Sequence, residues 1–235
     1  MTPRERPTAE WDFADLMMFI TLAFFAMIPS LLAVKIFAGM VPFGTPFLAL
    51  LSQLLWYVLI FVALWLLLKI RYGAPFWQSL GWRFPFRGAG LALLAGPFLV
   101  LALGLIAILI RTPVLKPPFE QMMGNRPTVA LFALFVVVLG PLSEELVFRG
   151  FLLPLLMRPL GVAGGIVSTG LIFGALHAYE YEWSWRHSLL IALAGMAFGW
   201  ARYASGSTAA STFMHATFNL TQFVALLAQS GIPKN

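Results

Sequence analysis

The chain contains no cysteine, which excludes disulfides, thiolate metal sites and a cysteine nucleophile. Charge is also scarce. Only 10% of the 235 residues are Asp, Glu, Lys or Arg, against about 25% in a soluble domain. There is no internal repeat, no low-complexity tract and no polar linker long enough to divide the chain. A water-soluble fold is therefore excluded, and a single integral membrane domain is expected over residues 1–235. The first residues, MTPRERPTAEWDFAD, mix acids with bases and lack a small-residue cleavage site, so they do not read as a cleaved signal peptide.

What the chain has in abundance is apolar sequence, 60% of its residues. A spanning helix needs about 20 mostly apolar residues. Seven runs qualify, near 16–34, 46–68, 88–110, 128–156, 162–179, 186–204 and 207–229. They are rich in Leu, Ala and Phe and lack the alternation of a barrel strand. Only helices and closed barrels satisfy backbone polar groups in lipid. The expected fold class is therefore all-α: a polytopic transmembrane helix bundle of about seven spans, with N-terminal helices over 16–110 and a four-helix core over 128–229.

The net charge of +6 resides largely in short loops, where it meets lipid headgroups; no nucleic-acid partner is expected. Residues 69–87 hold four basic residues and no acid. Their Trp and Phe residues fit a short helix in the headgroup layer, and their charge argues for the cytoplasmic side. The N-terminus then also lies inside, and seven crossings put the C-terminus outside. Residues 204–208 (ASGST) predict a tight turn, with Ser207 able to cap the last helix.

Against this background two carboxylates stand out. Seven of the nine acids fall in the N-terminal segment or in loops, whereas Glu144 and Glu145 interrupt the run LFALFVVVLGPLSEELVFRGFLLPLLM. An ionised side chain at mid-bilayer costs at least about 2.5–3.5 kcal/mol, so such residues usually serve a function. Arg149 lies four residues after Glu145 on the same helix face and offers it an ion pair. Glu144 points about 100° away and is left free. His177 and His215 also fall in apolar runs, and Asn219 lies one turn after His215. At 1.5 Å per residue, Glu144, His177 and His215 would sit roughly 18, 21 and 12 Å from the cytoplasmic face, a shared central layer. His187 lies in a polar loop, and Glu180 and Glu182 border it without an assigned task.

A carboxylate and an imidazole around one water form a general-base pair able to attack a carbonyl. His215 and Asn219 could donate hydrogen bonds to the resulting oxyanion. Ser143 has neither a Ser-x-x-Lys nor a Gly-x-Ser-x-Gly context, which disfavours serine hydrolysis. Glu144, His177 and His215 could instead hold a catalytic zinc, although the helical His-Glu-x-x-His motif is absent. A noncatalytic binding or immunity protein and a proton-conducting transporter are the competing classes. Intramembrane Glu and His residues suit a proton relay as well, but inverted repeats are lacking.

Four motifs also resemble those of a known family, the CAAX-protease and bacteriocin-processing group (CPBP, or ABI), which includes the type II CAAX prenyl endopeptidases. Glu144-Glu145-Leu-Val-Phe-Arg149 resembles its EExxxR motif, and Phe173 to His177 its FxxxH. Phe198 to Arg202 is similar to its FxxxR element, and His215 to Asn219 to its HxxxN. The resemblance covers roughly 128–225. It implies an intramembrane hydrolase, a protease, in which Glu144 and His177 activate water and His215 and Asn219 form the oxyanion site. Glu145, Arg149 and Arg202 would support them. No cofactor is expected on this view, with zinc the alternative. The implied partners are the bilayer and a membrane-embedded or lipidated peptide or protein, and the implied location is a bacterial-type inner membrane.

Overall fold

The computed structural model describes residues 10–37, 44–84, 88–115 and 124–230. The N-terminal Arg4 and Arg6, used above for orientation, lie outside them, as do residues 85–87 of the basic loop and 116–123 of the loop before the core. Among the described residues every regular element is helical. Helix α1 is Phe13–Phe37. Helix α2, Gly44–Leu66, runs on into a π-helical turn, Leu67–Arg71. A short α3, Phe76–Ser79, precedes α4, Ala89–Leu109. Helix α5, Arg126–Leu134, continues through π-helical Phe135–Leu139, α6 (Gly140–Glu145) and π-helical Leu146–Leu152 into α7, Leu153–Leu176. A 3-10 turn, Ala178–Tyr181, leads to α8, Trp185–Ser205, and α9, Thr208–Ser230.

Four helical stretches are long and apolar enough to cross a membrane: Phe13–Phe37, Pro46–Arg71, Ala89–Leu109 and the unbroken Arg126–Leu176. The last is 51 residues long, more than twice the span of a bilayer core, and it turns within itself. Gly161 adopts φ 69 and ψ 177 two residues after Pro159. A Cβ on Gly165 would lie 3.0 Å from the Met157 Cα, whereas a straight helix would separate those residues by roughly 12 Å. The chain therefore doubles back at Gly161, between the fourth and fifth apolar runs. Helices α8 and α9 occupy the sixth and seventh runs but are not among the four stretches, because Ser, Thr, His, Asn and Arg residues dilute their apolar content.

Apolar side chains face outward as well as inward, and a cluster of polar side chains is enclosed. Phe24, Phe25, Leu31 and Leu32 on α1 and Leu94, Phe98, Leu101 and Leu105 on α4 are exposed, while Glu145, Arg149, Thr169, Ser211, Thr212 and His215 are buried. An apolar exterior around an enclosed polar cluster is what lipid as solvent selects. Small residues bring the inner helices close. Gly174 and Gly170 of α7 pack on the backbone of α8 at Ser188 and Ala192, so that a Cβ on Gly174 would stand 2.8 Å from the Ala192 Cβ. Such contacts replace the hydrophobic drive that helices lack in lipid.

Two local expectations are met and two are revised. Ser207 does cap α9, its Oγ accepting from the Ala209 N–H at 3.2 Å and donating to the Arg83 carbonyl at 2.7 Å. The basic loop does hold a short helix, though of one turn only. The first helix begins three residues before the expected 16, and this encloses Asp15 in α1. Fully buried, Asp15 pairs with Arg71 at 2.8 Å and accepts from the Tyr72 hydroxyl, tying α1 to the end of α2. The fifth apolar run ends early as well. Its helix stops at Leu176, leaving His177 as the C-terminal cap rather than a mid-span residue.

Candidate active site

The sequence around Glu144 breaks the α-helical ladder twice. Pro141 has no N–H to donate, and the turn before it is already wound in π register, with the Gly140 N–H bonded to the Phe135 carbonyl five residues back. The next carbonyl in that register, Val136, would take its hydrogen from residue 141, which has none. The Asn219 side chain of α9 supplies it, Nδ2 donating to the Val136 oxygen at 2.8 Å. Asn219 thus docks α9 on the irregular turn that leads to the carboxylates, and the second hydrogen of its amide is left for other use.

Glu145 and Arg149 form the expected pair. Arg149 Nη1 donates to Glu145 Oε1 at 2.9 Å, and both side chains are 0% exposed. Arg149 Nη2 also donates to the Gly195 carbonyl of α8 at 2.7 Å. The guanidinium lies against the rings of Phe173 (4.8 Å), Phe198 (5.4 Å) and Phe148 (5.6 Å). Such rings attract a desolvated cation through their negative faces. Phe173 and Phe198 therefore do more than fill space.

His215 bridges the two glutamates. Its Nδ1 lies 3.0 Å from Glu145 Oε1, and its Nε2 is 3.9 Å from Glu144 Oε2. The Phe198 ring stacks on the imidazole at 4.4 Å and 18°. With Glu145 accepting at Nδ1, the ring's orientation is fixed and Nε2 is presented to Glu144. Glu144 itself is 22% exposed. Its Oε1 accepts a hydrogen bond from the Tyr57 hydroxyl of α2 at 3.0 Å. Nothing in the apolar run around Tyr57 marked it as a partner of a residue 87 positions away.

His177 approaches from the end of α7. Its Nδ1 meets the Phe173 carbonyl at 2.7 Å and its ring lies 4.5 Å from that of Phe173, which is also 5.9 Å from His215. One phenyl ring therefore touches both imidazoles. Among the described residues no hydrogen bond or ion pair joins His177 directly to Glu144. The two share an electrostatic neighbour in Glu180 of the 3-10 turn. Although Glu180 reaches the surface, the protein around it strips enough water to raise its carboxyl pKa. The Glu144 charge pushes the same way and His177 opposes. Arg202 lies apart from this group, its guanidinium over the backbone of Gly81 at the other end of α8. His187 is also elsewhere, stacked on Tyr181 at 5.0 Å.

Glu144, Glu145, Arg149 and His215 are thus in direct contact range. His177 is one ring away, Asn219 is engaged on the backbone beside them, and Arg202 is remote. Among the described residues no three His, Asp or Glu side chains gather closely enough to hold a metal ion. The Glu144–His177–His215 set considered for zinc does not form a cage in this arrangement.

Comparison with known proteins bears on the same stretch. Residues 126–221 match the family model described as type II CAAX prenyl endopeptidase, Rce1-like. By this match the segment is similar to the Rce1-like family. The match runs from the start of α5 into α9 and so includes Glu144, Glu145, Arg149, His177, Arg202, His215 and Asn219. No curated protein and no solved structure matches the chain. At family level the match supports a CAAX-protease-like intramembrane endopeptidase. Helices α1 to α4 lie outside the match.

Proposed function

We propose that the chain hydrolyses a peptide bond in a membrane-associated protein or peptide, with Glu144 as the base that activates water. The observation that carries this reading is the placement of Glu144: partly open to solvent and facing His215 Nε2 at 3.9 Å, beside a Glu145 neutralised by Arg149. Two adjacent carboxylates thereby take different tasks. Glu145 orients the imidazole, and Glu144 keeps an oxygen free for a proton.

In the proposed reaction a water held between Glu144 and His177 loses its proton to Glu144 as its oxygen attacks the scissile carbonyl. The carbonyl oxygen becomes an oxyanion. An Nε2–H of His215 and the unused amide hydrogen of Asn219 are the donors assigned to receive it. Glu144 then returns the proton to the departing amine as the C–N bond breaks. No step requires a metal. The N-terminus is assigned to the cytoplasmic side from the basic 69–87 loop, and a bacterial-type inner membrane follows from the family resemblance. A lipidated substrate is the class suggested by the family.

Purified protein in lipid nanodiscs tests this with two quenched fluorescent peptides, one farnesylated at a CAAX-type C-terminus and one unlipidated transmembrane segment. Cleavage of either by the wild type, abolished by Glu144→Gln and strongly reduced by His177→Ala, supports the mechanism. Undiminished cleavage by both variants contradicts it.

A further inference from the structure

Tyr57 lies on α2, outside the segment that matches the family. It reaches across the bundle and donates its phenolic hydrogen to Glu144 Oε1 at 3.0 Å. The phenol is well held. Its ring stacks on Phe135 at 5.1 Å and 21°, within the π-helical turn that precedes Glu144. The next residue back, Trp56, donates its indole N–H to the Ala23 carbonyl of α1 at 2.9 Å. Helices α1 and α2 therefore act as a frame that fixes the height of the hydroxyl.

We infer that Tyr57 is a positioning residue for Glu144, which makes the N-terminal helices part of the catalytic unit rather than a membrane anchor alone. The inference rests on Glu144 being the base. A carboxylate on a flexible side chain can present either oxygen to its surroundings. With Oε1 held by Tyr57, Oε2 faces His215 Nε2. The phenol therefore selects which oxygen takes the proton from water and where that oxygen sits. The other titratable or charged groups around Glu144 are Glu145 and Arg149 on its own helix, His215 on α9, and His177 and Glu180 at the end of α7. Gln53 is a further polar neighbour of the phenol. Of these, Tyr57 is the group bonded to Glu144 Oε1.

Tyr57→Phe removes the hydroxyl and keeps the ring that stacks on Phe135. In the cleavage assay kcat is expected to fall about 10- to 100-fold, the value of one hydrogen bond to a charged group, with KM and thermal midpoint little changed. In a Glu144→Gln background the same change should have no further effect. Two results would overturn the role of Tyr57 while leaving the hydrolytic reading intact: a wild-type rate in Tyr57→Phe alongside an inactive Glu144→Gln, or a slower Tyr57→Phe whose loss lies in KM or comes with a lowered midpoint. A fully active Glu144→Gln overturns both.

Discussion

Replacing Arg149 with methionine removes the guanidinium that balances the buried Glu145. The structure gives the consequences in order. Glu145 is 0% exposed and loses its partner at 2.9 Å, and breaking a buried pair in this way costs about 3–5 kcal/mol. The Gly195 carbonyl also loses its side-chain donor at 2.7 Å, while its helical N–H partner remains. At about 2–4 °C per kcal/mol for a chain of this size, the midpoint should drop by roughly 6–20 °C. The eight tryptophans allow the unfolding to be followed by fluorescence in detergent. The double variant Glu145→Leu/Arg149→Met removes both charges and should regain most of the lost stability, since apolar replacements of a buried pair are often near neutral. It should not regain activity, because the carboxylate that orients His215 Nδ1 at 3.0 Å is gone. An Arg149→Met protein as stable as the wild type, or a double variant no more stable than the single, would refute this electrostatic reasoning.

Two further outcomes follow from the geometry. Asn219→Ala leaves the Val136 carbonyl without its donor and should lower the midpoint by an amount matching about 1–3 kcal/mol, besides slowing cleavage; slowed cleavage with an unchanged midpoint would show that Asn219 serves the substrate alone. Gly174→Val forces a Cβ to within 2.9 Å of the Ala192 backbone nitrogen, so α7 and α8 must part at a cost of about 1–3 kcal/mol or more. Thermal unfolding reads this directly, and an unshifted midpoint would contradict the close approach.

Much of the site was legible in the sequence because helical spacing is a strong constraint. The four-residue step from Glu145 to Arg149 put both on one face, and their burial in lipid-like surroundings left pairing as the stable outcome. The two histidines drew attention as costly groups in apolar runs, and His215 did come to the glutamates. Distances counted along straight helices were less informative. The π-helical turns at Phe135–Leu139 and Leu146–Leu152 change the winding on both sides of Glu144, and their apolar sequence carries no periodic trace of it. The helix carrying His177 ends at Leu176, so its imidazole stands at a helix end beside Glu180. Tyr57 and Asp15 were invisible for a different reason. Each finds its partner on another helix, Glu144 for Tyr57 and Arg71 for Asp15, and pairings of that kind are set by packing between helices rather than by local spacing.

Every catalytic assignment passes through one carboxylate. The direct measurement is the single-turnover cleavage rate of Glu144→Gln against the wild type, in the same nanodiscs with a peptide the wild type cuts. Removal of a general base predicts a fall of about 10²–10⁴-fold, with the fold retained because glutamine still accepts the Tyr57 hydrogen bond. A Glu144→Gln protein that cuts at the wild-type rate would contradict the account.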